Sequence, residues 1–364
     1  MMSDVPELVP DPPVRCKDFT IGAIGAGFIM ADVQLAAYRS AGFTVHALAS
    51  RTQARAAEVA ARWDIPVVHA TPEALIEDER VEILDIAFPP HLQPALIRHA
   101  LRQPHIKGIL AQKPFALSLD DARALVEEAE AAGKPLSINQ NMRYDQSIRV
   151  LKQLIDRGEL GEIVTATIDM RAVPHWQEFL RDYDRLTLVN MSVHHLDALR
   201  FLLGEPVDVY TAARTDPRTA FPHTDGIVAS TIRFESGALA VSLEDVWTGP
   251  IERGVDSDVR IRWRVEGTAG LAQGTIGWPD YPEGSPSTLR YSSEGTGGRW
   301  EEPVWSTRWF PDGFAGVMEQ LQYAVAHGEC PELDARDNLR TMALVEAAYR
   351  SIEERRAVPV AEFI

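Results

Sequence analysis

Three short stretches of the chain carry residue types able to do chemistry. The first is Gly25-Ala26-Gly27-Phe28-Ile29-Met30, where an apolar run gives way to a helical pattern. Gly25 suits a tight turn, and Gly27 lets backbone come close to a pyrophosphate. Phe28 and Ile29 then open a helix whose N-terminal N–H groups face the phosphate charge. Met30 stands where the dinucleotide fingerprint has its third glycine, so the match is partial. The second stretch is Lys113-Pro114, at the end of an apolar run. Proline biases the lysine toward extended backbone, and an ammonium there suits holding an oxygen and stabilising a developing alkoxide. The third is Asn190-Met191-Ser192-Val193-His194-His195-Leu196-Asp197. An imidazole titrates near about 6.5, which makes His194 the leading general acid/base. At about 100° per helical residue Asn190, His194 and Asp197 share a face, and His195 points away from it.

The elements that must position these groups follow a βαβ rhythm from about Phe19. Strands are predicted over Thr20–Ala26, Phe43–Ala49, Ile83–Ala87, Gly108–Ala111 and Pro135–Asn139. Helices are predicted over Ile29–Ser40, Thr52–Trp63, His91–Leu101 and Ser118–Ala132. Ser118 with Asp120 and Asp121 reads as a cap and a first-turn charge pattern. The first domain, 19–140, is therefore a nucleotide-binding Rossmann domain of α/β class.

Beyond it the rhythm changes. A helix over Gln146–Gly158 is followed by longer strands over Ile163–Val173, Val207–Ala213, Ile227–Phe234, Ala238–Val246 and Val259–Val265. Glu235-Ser236-Gly237 reads as a hairpin connection, which favours an antiparallel sheet. Two closing helices, within about 313–354, are expected to cover one face of it. The second domain, 141–364, is thus α+β with a largely antiparallel sheet.

At 364 residues, two domains are the natural expectation. The net charge of −17 argues against nucleic acid or an anionic membrane as partner. No apolar run approaches the roughly 20 residues of a membrane span. Residues 1–18 are Pro-rich and acidic and read as a flexible lead-in rather than a signal peptide. Two distant cysteines, Cys16 and Cys330, suit a reduced, cytoplasmic protein. The histidines show no metal-ligand spacing, so no metal is expected.

Other segments complete a resemblance. Ile86-Ala87-Phe88-Pro89-Pro90-His91, Ala111-Gln112-Lys113-Pro114, Asn139-Gln140-Asn141-Met142-Arg143-Tyr144, the Asn190–Asp197 helix and Ala347-Ala348-Tyr349-Arg350-Ser351 occur in a fixed order. In order and spacing the chain resembles the glucose-fructose oxidoreductase, inositol dehydrogenase and MocA superfamily from about Phe19 onward. The resemblance implies hydride transfer between a nicotinamide cofactor and a secondary alcohol of a sugar, sugar acid or cyclitol. It makes Pro89, His91 and Gln112 cofactor contacts, Lys113 and His194 catalytic, and Arg143 a substrate contact. It also implies that the sheet of the second domain is open-faced and serves substrate binding and oligomer contacts, giving a homodimer or homotetramer through the C-terminal sheet. Two positions depart from the family pattern. Gln112 stands for a glutamate, and Asn190 replaces the acid normally four residues before the histidine. Asn190 can orient an imidazole but cannot stabilise imidazolium through charge, which shifts work toward Lys113 or leaves Asp197 to orient the ring.

Cofactor choice rests on Ala49-Ser50-Arg51-Thr52, which ends the second strand without an Asp or Glu for a ribose 2′-hydroxyl. Ser50 and Arg51 can accept a 2′-phosphate, which tilts the reading to NADP and leaves NAD open. For substrate, Arg171, Trp176 and Arg181 form a basic, aromatic stretch before the His194 helix. Trp176 can stack on a sugar ring and an arginine can pair with an anionic group, or the stretch is a solvated loop. Arg260, Arg262 and Arg264 share one strand face, a polar contact surface. Two rival functions remain: a redox-assisted glycosidase with tightly held NAD, and a non-catalytic dinucleotide-binding sensor.

Overall fold

A computed structural model describes residues 7–172, 178–219, 221–246, 259–277 and 284–364. The chain divides into two units. The nucleotide unit comprises Pro13–Asn141 and Pro311–Met342. Its six parallel strands are β1 (Ile21–Ile24), β2 (Val45–Ala49), β3 (Val67–Val68), β4 (Ile83–Ile86), β5 (Gly108–Gln112) and β6 (Leu136–Asn139). Their order is β3-β2-β1-β4-β5-β6, the doubly wound arrangement. β1 and β4 are buried at every residue, as strands covered on both faces must be. The cover includes α1 (Leu35–Ala41), α2 (Gln53–Arg62), α3 (Pro72–Ile76), α4 (Gln93–Leu101) and α5 (Leu119–Ala131). Ser118 caps α5, its hydroxyl accepting the Asp121 N–H at 3.1 Å. Because every strand is parallel, their C-terminal ends share one edge of the sheet.

The sheet unit contains Met142–Phe310, joined by the chain up to Pro12 and from Ala343 onward. It holds α6 (Gln146–Asp156), β7 (Ile163–Ala172), α7 (Val193–Leu203), β8 (Pro206–Arg214), β9 (Ile227–Phe234), β10 (Leu239–Val246), β11 (Arg260–Gly267), β12 (Gly270–Ile276), β13 (Thr288–Ser293) and β14 (Val358–Pro359). The eight strands run β13-β12-β11-β7-β10-β9-β8-β14. Neighbours are antiparallel except β7 with β10, which is parallel. Ala166, Ile168, Met170, Ile232 and Ala240 form an inward row, while Leu239, Val241 and Leu243 stay exposed on the other face. This is the period-two alternation of a sheet covered on one side. Gly274 of β12 leaves room for the Trp263 indole, since a Cβ there would fall 2.5 Å from the ring.

Two expectations are corrected. The helix α8 (Phe314–His327) belongs not to the unit of the C-terminal sheet but to the nucleotide unit. Its buried polar groups find their partners there. Gln320 donates to Ser137 Oγ at 3.1 Å, and Gln322 Oε1 accepts the Phe19 N–H at 3.1 Å. Leu321 and Val325 lie against Gly108. The last helix, α9 (Ala335–Glu354), gives its first part to the nucleotide unit and the rest, from Ala343, to the sheet unit. The described part of the N-terminal lead is also tied down rather than loose. Val9 exchanges two hydrogen bonds with the Gln153 side chain, and Gln146 donates to Asp11 at 2.6 Å. Further along, Arg15 pairs with Glu319 at 3.2 Å. Among the described residues no helix is long and apolar enough to cross a membrane.

Candidate active site

In the nucleotide unit the candidate residues follow the C-terminal ends of β1, β2, β4 and β5. Gly25 has φ +120°, and a Cβ there would sit 2.3 Å from the Ala87 carbonyl oxygen. Only glycine fits this turn. Gly27 is different: a Cβ built on it meets nothing within 4 Å. Space over that backbone is what a pyrophosphate needs. The helix beyond begins at N-cap Phe28 as a π-turn, Ile29–Gln34, with no side-chain cap hydrogen bond. Met30, in the third-glycine place, is fully buried in the unit's core.

At the end of β2, Arg51 is exposed and its guanidinium lies 5.8 Å from the Phe88 ring centroid. Ser50 precedes it, half-buried. Among the described residues Arg51 has no carboxylate partner. The loop from Phe88 through Pro89 to His91 follows β4, with His91 exposed.

Gln112 ends β5. Its Oε1 accepts the Lys113 N–H at 3.1 Å, and its buried Nε2 has no partner among the described residues. Gln93 of α4 locks this turn from the side. Its amide donates to the carbonyls of Gln112 and Pro114 at 2.9 and 3.1 Å, and accepts the Gln112 N–H at 3.0 Å. Sequence reading missed Gln93, because nothing local connects it to a turn nineteen residues away. The Lys113–Pro114 peptide is cis. Burial brings the Lys113 ammonium down to about 7. Beside it in the sheet, β6 ends in Asn139 and Gln140, whose buried amides also hold atoms without partners among the described residues. Open space at Gly27 and unspent amides at the ends of β5 and β6 fit a dinucleotide with a polar head.

In the sheet unit, a π-turn over Leu188–Ser192 leads into α7. Such bulges concentrate at functional sites. Asn190 on the turn and His194 on α7 are 5% and 7% exposed. His194 meets Trp309 edge-on, centroids 6.4 Å apart. His195 is fully buried, with Nδ1 3.3 Å from Glu244 Oε1. Glu244, a buried carboxylate on β10, also accepts the hydroxyls of Ser192 and Ser242. Glu244 was not singled out by the sequence, where it reads as one more charge in a strand.

The expected substrate arginines are placed otherwise. Arg143 is buried and forks onto Asp197, with both N···O distances 2.7 Å, and lies over the Phe201 ring. A buried guanidinium requires such a partner. The structure therefore gives Arg143 a role in holding α7, and supports the helix-packing reading of Asp197. Arg171 pairs with Asp245 at 2.8 Å. In the β7–β10 register Met170 faces Glu244 and Arg171 faces Asp245. Glu244 meets the α7 start, so alternation puts Arg171 on the opposite face of the sheet from His194. This corrects its place among substrate contacts. Arg181 is exposed on a short 3-10 turn, 5.8 Å from the Phe221 ring. Trp176 lies outside the described residues. Arg260 pairs with Asp169, and Arg264 with Glu266 and Gln273, on the polar strand face anticipated for them.

Residues 19–140 match the family model described as an oxidoreductase family with an NAD-binding Rossmann fold. Residues 148–273 match the GFO/IDH/MocA C-terminal domain. The chain belongs to the GFO/IDH/MocA oxidoreductase family. Among the relatives of this family member is D-apiose dehydrogenase of Rhizobium rhizogenes, 27% identical, covering 93% of this chain and 96% of its own. Another is D-xylose 1-dehydrogenase (NADP(+)) 2 of Haloferax volcanii, 26% identical over 92% of this chain and 96% of that one. The same fold is found in an Agrobacterium radiobacter oxidoreductase solved with NAD+, L-tartaric acid and magnesium. That match has a TM-score of 0.78, 22% identity, and covers 95% of this chain and 100% of the other. The protein is an NAD(P)-dependent oxidoreductase of dehydrogenase type.

Proposed function

We propose that this GFO/IDH/MocA member oxidises a secondary alcohol of a sugar or related polyol, with NADP the preferred cofactor. The observation that carries the reading is Lys113. A lysine whose ammonium is brought to about 7 by burial stands at the end of β5 in a dinucleotide-binding sheet. Near neutral pH it exchanges its proton readily, which an ordinary surface lysine does not. The sugar class is supported by the relatives that act on apiose and xylose.

Bound nicotinamide supplies the hydride acceptor. Gly25 and Gly27 would hold the pyrophosphate at the helix start, and Ser50 and Arg51 would receive the 2′-phosphate. Lys113 hydrogen-bonds the substrate oxygen and stabilises the charge that develops there. His194 takes the hydroxyl proton, with Asn190 orienting the ring without adding charge. Pro89, His91 and Gln112 line the cofactor side, and Arg181 and Trp176 remain the candidates for substrate recognition. The exposed apolar row Leu239, Val241 and Leu243 supports a homodimer or homotetramer through the open sheet face. Light scattering on Leu243→Asp tests this, and an unchanged mass would contradict it.

The test of function is a panel of pentoses, hexoses, uronates, cyclitols and aryl glycosides with NAD and NADP separately. Reduced cofactor accumulating with one sugar, and lost by at least about a thousandfold in Lys113→Ala that still binds cofactor, is expected. Aglycone release without net reduction would replace the reading with the redox-assisted glycosidase. Cofactor binding with no turnover on any substrate would favour the sensor.

A further inference from the structure

The helix that carries His194 begins without a cap of its own. Thr187, at its N-cap, makes no side-chain hydrogen bond to the turn. A buried helix start needs acceptors for its first N–H groups. Here they come from other elements of the sheet unit. Asp225, just before β9, is 1% exposed. Its Oδ1 accepts the Leu186 N–H at 2.6 Å and its Oδ2 the Leu188 N–H at 2.8 Å. Its backbone carbonyl accepts the Thr187 N–H at 3.2 Å. The Val189 N–H reaches the Tyr349 hydroxyl on α9 at 3.3 Å, and that hydroxyl donates to Asp225 Oδ2 at 3.0 Å. Every N–H from Leu186 to Val189 is thus accounted for by Asp225 and Tyr349.

The far end of the turn is held by the second carboxylate. Glu244 accepts the Ser192 hydroxyl and its Oε1 lies 3.3 Å from His195 Nδ1, so it holds Ser192 and sits against His195, the two residues flanking Val193-His194. Ser242 fixes the carboxylate in turn, donating to Oε1 at 2.7 Å. Glu244 is paired with Val228 of β9, close in register to Asp225. One end of two adjacent strands therefore sets both ends of the π-turn. Buried carboxylates are retained only where donors saturate them, and here the donors all belong to the segment that bears Asn190 and His194 or to groups bracing it.

We propose that Asp225 and Glu244 are positioning residues of the proton-transfer step, clamping the two ends of the π-turn so that Asn190 and His194 are presented in one geometry. This rests on the dehydrogenase reading above. A rigid support of this kind matters because small misplacements of a reacting group cost rate more than affinity.

Asp225→Asn, Glu244→Gln and Tyr349→Phe are to be compared with wild type in thermal unfolding, cofactor titration, steady-state turnover and histidine-ring NMR. The His194 resonance is assigned with His194→Gln, and the edge-on Trp309 ring makes it sensitive to position. Asparagine at 225 turns an N–H against the Leu186 or Leu188 N–H. The expected result is kcat lower by at least about tenfold, with cofactor affinity within about twofold of wild type. The His194 resonance is displaced in the same variants, and Tyr349→Phe moves both readouts in the same direction by less. Folded variants with wild-type kcat and an unmoved His194 resonance would overturn the proposal. A displaced resonance with unchanged kcat would keep the clamp and instead remove His194 from the chemistry, which is failure of the functional reading. Should Asp225→Asn not fold, Glu244→Gln and Tyr349→Phe carry the test.

Discussion

At the strand ends of the nucleotide unit, candidate residues have open space and unspent polar atoms around them. Gly27 faces nothing within reach of a Cβ, and Gln112, Asn139 and Gln140 each hold a buried amide atom without a partner among the described residues. In the sheet unit the backbone that carries His194 is braced from within, although both ring nitrogens of the neighbouring His195 lack a hydrogen-bond partner among the described residues. Arg143 forks onto Asp197, Asp225 takes the start of the π-turn, and Glu244 takes Ser192 and lies beside His195. The difference teaches a division of labour. One unit leaves its strand ends open for a ligand, and the other spends its buried carboxylates on bracing the segment that bears His194. Preorganised polar groups favour rate, and unsatisfied ones favour a ligand.

The comparison makes the sheet unit more vulnerable to loss of a partner. Arg143→Met leaves the Asp197 charge stranded in the core and should cost about 3–5 kcal/mol of stability. Denaturant unfolding checks this. A loss within about 1 kcal/mol together with a raised KM would return Arg143 to substrate recognition. In the nucleotide unit the corresponding change acts on ligand affinity. Arg51→Gln should weaken NADP about tenfold and leave NAD nearly unchanged, by fluorescence titration. Equal weakening of both would assign Arg51 to the adenine ring.

The smallest effect concerns a carboxylate inside the nucleotide unit. Asp85 of β4 accepts hydrogen bonds from Gln34 at 2.8 and 3.0 Å and from Tyr38 at 2.7 Å, and burial pushes it up to about 7. The folded state therefore keeps a proton that the unfolded chain loses at lower pH. Its stabilising contribution is full below about pH 4 and is lost as pH rises toward 7. Asp85→Asn should flatten that part of the stability–pH curve. Gln34 Oε1 is buried without a partner, and turning the Gln34 amide over would let it accept from the new amide. An unchanged slope would show that Asp85 ionises normally in the fold.

Much of this was legible in the sequence. The parallel sheet announced itself through its apolar runs, and Gly25, Gly27, Lys113 and His194 through their places at element ends. Four features were not. β3 is only two residues long, although Thr71-Pro72 carries the cap and N1 proline that start α3. β12 reads Gly-Leu-Ala-Gln-Gly-Thr-Ile, with too few branched residues to look like a strand, and its glycine makes room for Trp263. The placement of α8 depends on partners about three hundred residues earlier, such as Phe19. The Asp225–Leu186 clamp is likewise a long-range pairing with no local periodicity to reveal it.

The central claim is that Lys113, half-buried at the end of β5, carries a proton poised near neutrality. The chain has five lysines, Lys17, Lys107, Lys113, Lys134 and Lys152, so side-chain carbon NMR on lysine-labelled protein resolves a short set of signals. Lys113 is assigned by its absence from Lys113→Ala, and its resonance is followed against pH. A midpoint near 7 is the predicted result. A midpoint near the ordinary lysine value of about 10.4 would contradict the account.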